Sequence, residues 1–388
     1  VVLACEISIA VQIRRNYRVA TKNEINVTDP PFNAVANDGS DQTAHIKMAI
    51  DAAQRASSSG TAGAAAQRGG TVYIPSGEFH VSGSIYDTTY SLDSTYYGDH
   101  AVTIRGDLPG LPGSDSAGGT GTRLVLLNDV STSTPIFKVF GNGSGVANHT
   151  TGFQLRQIIL DGNGKTGTWL SFLQASFTRL DHVRIVNTKG RGIYGQEWWG
   201  STCHDVWFDN VGDNSVTLPT MELVPTGGTG TECRNLRFEA VRFANHPYLA
   251  CWLKSGTTHI YFLGCSWFGS TATNADGSPL YPYSNMRLDG VYQCGVCGCD
   301  FTRSGSHHIS ATTGTAGLVA ITSTFQDAWD YGISLNSSSF NIMTANSFAK
   351  SDGTAANGLN PAGGGNIAFA GSTGNVNLKN QGGAGAVL

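Results

Sequence analysis

The sequence predicts an all-β solenoid, a parallel β-helix closed at one end by a capping helix. Three observations predict it. Glycine accounts for 50 of 388 residues and charged residues for 13%, a balance that suits many short strands with tight turns better than packed helices. Large apolar residues recur at Ile159, Ile185, Phe208, Phe243, Phe268, Phe301, Phe325 and Phe348, at intervals of 26, 23, 35, 25, 33, 24 and 23. Intervals of this size mark stacked repeats. Around these anchors apolar and polar residues alternate, as they do in strands with one buried face.

Taken in order, residues 1–28 read as an N-terminal linker. VVLACEISIAVQI is apolar, but Glu6 and the trailing Arg14, Arg15 and Arg18 do not suit a signal peptide, and the chain starts without Met, as a trimmed piece would. Residues 29–388 read as one β-helix, with a cap over 29–70 and rungs over 71–380. Asp38-Gly39 makes a turn, Ser40 or Asp41 caps a helix over 41–56, and Ile46, Ile50 and Ala53 line one face of it. That helix shields the open end of the core. GGTVYIPSGEFHVSG then gives two strands broken at Pro75 to Gly77.

In the rungs, Ile193, Val216, Cys251, Ile309 and Ile333 sit eight residues after an anchor, with Met286 in the same slot beyond an insertion. Leu218, Leu253, Leu288, Ala311 and Leu335 follow two residues later, and Val183, Val206, Val241 and Cys299 stand two before an anchor. Two insertions, over 217–232 and 269–284, interrupt the period. Long loops on a rigid scaffold often carry specificity.

QCGVCGCDF places Cys294, Cys297 and Cys299 within six positions. Parity points Cys297 and Cys299 inward, where small thiols stack well. A zinc centre needs four converging ligands, so reduced core cysteines are expected, with no metal and no cofactor. The net charge of −4 implies no basic face for nucleic acid. No apolar run is long enough for a membrane-spanning helix.

Phe32, Ala34, Asp38, Gly39, Thr43, Ala44, Ala49 and Ile50, followed by Gly69 to Pro75, Gly77 and Phe79, resemble the pectate-lyase-like right-handed parallel β-helix superfamily. The resemblance covers about 50 residues directly, and the rung pattern extends it. It implies a right-handed winding and activity on polysaccharide. The superfamily includes polysaccharide lyases, glycosidases, epimerases and bacteriophage tailspike depolymerases. Cysteine usage and the absence of a signal peptide look most like a tailspike. That likeness implies a homotrimer in a virion tail, with a secreted enzyme as the alternative. It transfers no catalytic residue, because the superfamily shares no single catalytic motif.

The expected function is therefore a depolymerase of capsular or exopolysaccharide, acting by glycoside hydrolysis. The alternatives are β-elimination on a uronate polymer and a non-catalytic glycan-binding or structural fibre. Stacked rungs make equivalent positions neighbours, about 4.8 Å apart. Before the anchors this gives an outward column of Arg184, Trp207, Arg242 and Trp267, suited to sugar faces and acidic groups or to a subunit contact. His182 falls beside Asp205, while Asp209 faces Val186 and Ala244. Glu197, flanked by Trp198 and Trp199, is the candidate acid, with Asp205 as its partner carboxylate and Asp209 in reserve. Asp205 and Asp209 are too far apart on one strand to pair with each other. Tyr281 and Tyr283, in the second insertion, are candidate sugar contacts. For elimination, Arg184 with His182, or Lys254 with Tyr194, would supply the cation and the base. A second outward ledge carries Tyr194, Trp252 and Arg287 beside Lys254 and Asp289, and reads as structural or as an interface.

Overall fold

The computed structural model describes residues 24–56, 70–88, 102–107, 121–141, 149–226, 232–270, 274, 278–349 and 365–378. Cys5 and most of the N-terminal linker lie outside them. Within them thirty strands, from Glu24–Asn26 to Val376–Leu378, pair in parallel as one continuous wound sheet. The fold is a right-handed parallel β-helix, the hand that parallel crossovers nearly always take.

Each turn crosses three faces. In one turn these are residues 193–196 (face A), 202–204 (face B) and 206–211 (face C). In the next they are Met221–Leu223, residues 237–239 and Arg242–His246. The helix Thr43–Ala56 closes the first rung. Asp41 Oδ1 accepts the Thr43 N–H at 2.9 Å, which satisfies a helix-end donor. Ile46, Ala49, Ile50 and Ala53 are all fully buried against the first strands. Gly70 fits there because a Cβ would stand 3.3 Å from the Ala53 Cβ.

Tight corners join the faces. Between B and C one residue per rung takes a left-handed conformation: Gln157, His182, Asp205, Ala240, Gly264, Gly298, Thr322 and Ala345. A left-handed residue turns the chain without spending a loop, and it also interrupts strict alternation. Cys299 is buried as expected. Cys297 is exposed, because Gly298 makes the corner between them and flips the parity. The inward placement of Cys297 is thus corrected. Cys265 joins Cys299 in the column instead, and burial pushes the thiols of Cys203, Cys233, Cys251 and Cys294 up.

The core behind face C is a ladder of rings. Phe208, Phe243, Trp267, Phe301, Phe325 and Phe348 stack in sequence with centroid spacings of 4.9, 5.4, 4.2, 4.9 and 4.9 Å and planes within 13° of parallel. Two anchors shift by one residue. Leu160, not Ile159, pairs with Ile185, and Trp267, not Phe268, pairs with Phe243 and Phe301. Met221 and Leu223, not Val216 and Leu218, fill the face A slots between Ile193 and Cys251. Val216 is exposed.

His308 sits in this core with no exposure. Its Nδ1 accepts from Asn285 Nδ2 at 2.9 Å and its Nε2 donates to the Gln326 carbonyl at 2.8 Å, which fixes a neutral tautomer. Burial lowers its pKa to about 3. The unfolded chain takes up this proton near the ordinary histidine value of about 6.5, so stability is present above that value and is lost as pH falls. His308 alone should cost about 2 kcal/mol between pH 7 and pH 5, at roughly 1.4 kcal/mol per unit below the unfolded value. Urea titrations of wild type and His308→Gln at both pH values check this. The variant should be less stable at pH 7 but should lose less on acidification.

Candidate functional site

The corner between faces B and C brings charged groups together. His182 and Asp205 are consecutive corner residues, and His182 Nε2 lies 3.4 Å from Asp205 Oδ2. His182 also contacts a residue that the sequence reading missed, Asp181. Its Oδ1 receives His182 Nδ1 and His204 Nδ1, each at 3.0 Å, and its Oδ2 faces Arg156 at 3.3 Å and Arg179 at 3.7 Å. Burial alone would push the Asp181 carboxyl up. The hydrogen bond from His204 and the charges of His182, Arg179 and Arg156 outweigh it and hold the carboxyl below its usual range. His204 and Arg179 also line a groove of about 490 Å³ on face B with Phe177, Thr202, Arg237 and Glu239.

Glu197 occupies a different corner, between faces A and B, and it too is left-handed. It is 4% exposed. Thr226 Oγ1 donates to its Oε1 at 2.5 Å, while Oε2 has no partner among the described residues. His149 is buried in the same region, and neither of its ring nitrogens has a partner there. Burial lowers the His149 pKa; the charge of Glu197 opposes that and the charge of Arg234 adds to it. The His149 ring lies 4.3 Å from that of Trp199, whose other contacts are the Arg234 guanidinium at 4.1 Å and the Glu232 carbonyl, which accepts from Nε1 at 2.5 Å. A buried carboxyl with one oxygen unpartnered among the described residues, a buried imidazole and a guanidinium thus gather about Trp199 and the Glu197 corner. Residue spacing offered no signal for His149, which precedes the first anchor recognised in the sequence, although Thr150 beside it pairs with Ala175 in the ladder.

The other expected partners fall elsewhere. Gly200 to Asp205 alone spans roughly 16 Å at about 3.3 Å per residue, so Glu197 and Asp205 do not form the close carboxylate pair that glycosidases use. Trp198 is fully buried and stacks on Phe172 at 4.4 Å inside the core. As with Trp267, burial removes it from any sugar surface. Of the outward column, Arg184, Trp207 and Arg242 are in register. The guanidiniums of Arg184 and Arg242 lie 4.9 and 4.6 Å from the Trp207 ring; Ser266, not Trp267, follows Arg242 in the column, and the Phe268 ring reaches Arg242 from the neighbouring column at 4.6 Å. Asp209 has a partner, accepting from Asn245 Nδ2 at 2.8 Å. Tyr283 packs edge-on against Tyr248 at 4.5 Å. Tyr281 lines a cavity of about 280 Å³ with Asn187, Lys189, Asn210 and Asp213.

Face A carries the second missed acid. Glu222 stands between Tyr194 and Trp252 in the outward column, buried and held by Arg191 Nε at 2.5 Å and Lys254 Nζ at 2.7 Å. Trp252 lies under Lys254 and Arg287 and donates from Nε1 to Asp289 Oδ2 at 2.7 Å. Asp289 is held below its ordinary range: burial opposes this, but hydrogen bonds from Thr312, Arg287 and Trp252 prevail. Every charge on this ledge has a partner, as a structural network requires.

This geometry sits on a fold found in other proteins. ORF18 of Geobacillus virus E2 superposes with a TM-score of 0.60 at 16% identity, over 98% of this chain and 64% of that one. The chain thus spans about two thirds of that protein's length. DFA-IIIase from Arthrobacter chlorophenolicus A6, without its lid, superposes at 0.56 and 11% identity, over 93% of this chain and 90% of that one. No curated protein matches in sequence. A profile described as rhamnogalacturonase A/epimerase, pectate lyase-like, matches residues 24–240, more than half of the sequence, and the chain belongs to that family.

Proposed function

We propose that the protein is a polysaccharide depolymerase that cleaves glycosidic bonds by hydrolysis at the Glu197 corner. The observation that carries this reading is the buried pair of Glu197 and His149, both with polar atoms that lack a partner among the described residues. Buried polar groups are normally paired, and an exception calls for a reason. Here the reason is a substrate. In the turn of the cycle in which Glu197 holds a proton, its Oε2 passes that proton to the leaving glycosidic oxygen while Thr226 fixes Oε1. His149, kept neutral by burial, takes the proton from the attacking water. Trp199 and Arg234 hold the neighbouring sugar.

Arg234 favours a second reading. A guanidinium beside a neutral imidazole and a carboxyl suits β-elimination on a uronate, with Arg234 neutralising the sugar carboxylate and His149 removing the ring proton. Digestion of a panel of neutral and acidic bacterial polysaccharides separates the outcomes. Saturated reducing ends support hydrolysis, and ultraviolet-absorbing unsaturated ends support elimination. Polymers that are bound but left intact would make the protein a glycan-binding fibre.

The virion tail is the proposed location and the homotrimer the proposed assembly. The fold shared with the viral ORF18 supports the first. The outward Arg184–Trp207–Arg242 column, with guanidiniums against the indole, supports the second as a contact surface rich in residues that interfaces favour. Light scattering should give three times the chain mass of 40.8 kDa. A mass near one chain would remove face C as an interface.

A further inference from the structure

We propose that Asp181, His182 and His204 form a binding site for one divalent transition-metal ion of the zinc, cobalt and nickel class. None of these residues belongs to the Glu197 corner. Candidate ligand atoms of the three side chains all lie within 4.8 Å of one another. Both Nδ1 atoms stand 3.0 Å from Asp181 Oδ1. Ligands about 2.1 Å from an ion are about 3.0 Å apart at right angles and about 3.4 Å apart in a tetrahedron, so the two contacts already have the length of a coordination edge. The rings meet edge-on, with centroids 5.6 Å apart, as two imidazoles aimed at one point do.

The surroundings match those of a metal centre. A ligating histidine typically donates its other ring nitrogen to a carboxylate, and a ligating carboxylate is itself held. His182 Nε2 faces Asp205 Oδ2 at 3.4 Å, so with an ion on Nδ1 the ring proton has an acceptor. Asp181 Oδ2 faces Arg156 and Arg179, at 3.3 and 3.7 Å, which leaves Oδ1 to the ion. Two imidazoles and one carboxylate favour zinc, cobalt or nickel over calcium and magnesium. Three protein ligands on a half-exposed corner leave positions open to solvent, and His204 borders the face B groove, so an oxygen-bearing ligand in the groove can complete the shell.

The test is calorimetric titration of the untagged full chain with zinc chloride, with cobalt chloride spectra as a second readout. One ion per chain is expected, with cobalt bands of nitrogen and oxygen ligation. Asp205→Asn should weaken binding about tenfold, and the double variant His182→Ala/His204→Ala should lose it. The proposal is overturned if the wild type takes up no more ion than the double variant, or if the double variant still takes up one equivalent. A thiolate charge-transfer band, which would place the ion on a cysteine, overturns it as well.

Discussion

Glu197→Gln should abolish glycan cleavage, with a loss of turnover of at least about 10²-fold, while glycan binding persists. The amide keeps the shape of the side chain and can still accept from Thr226 Oγ1, the one hydrogen bond the carboxylate makes among the described residues. It removes the proton that the leaving oxygen needs. His149→Ala should lose turnover to a similar degree. Asp289→Asn, on the self-satisfied face A ledge, should change the rate little. Rates on a cleaved polymer, with binding measured separately, check all three. Unchanged turnover in Glu197→Gln would remove the corner pocket from the chemistry, and a large loss in Asp289→Asn would move the site to Trp252.

Trp267→Ala should cost about 3–5 kcal/mol of stability. The indole is fully buried and stacked between Phe243 at 5.4 Å and Phe301 at 4.2 Å. Its removal breaks a ladder of six rings and leaves a cavity that neighbouring rungs, pinned by strand pairing, cannot close. Trp267→Phe keeps the stack and should cost far less. Phe268→Ala, on the outside, should remove only its contact with Arg242. Chemical denaturation separates the two positions. Equal losses at 267 and 268 would contradict the register.

These two positions show what the sequence revealed and what it hid. The period, the capping helix and most of the inward columns were legible, because burial repeats at the interval of the winding. Register was legible only to within a residue, since Trp267 and Phe268 are both aromatic and a slip of one exchanges inside for outside. A longer connection after Val211 moved the face A slot five residues on, from Val216 to Met221, and so concealed Glu222 between Tyr194 and Trp252. Corners did the rest. Gly298 reversed the parity of Cys297, and Glu197 is itself a corner, so the two tryptophans after it divide between the core and the pocket wall. Ladder neighbours correctly joined His182 to Asp205, but Asp181 collects its partners from three rungs, one of them the corner residue itself, which no single column records.

Where a sugar chain is cut decides between the Glu197 corner and the face A ledge. The most direct measurement is a crystal structure of Glu197→Gln with a bound oligosaccharide of a polymer that the wild type degrades. The expected result places a glycosidic oxygen within hydrogen-bond reach of residue 197, with His149 on the other side of the bond and a sugar ring against Trp199 or Arg234. An oligosaccharide lying instead across Tyr194, Glu222 and Trp252, with the Glu197 corner closed, would contradict it.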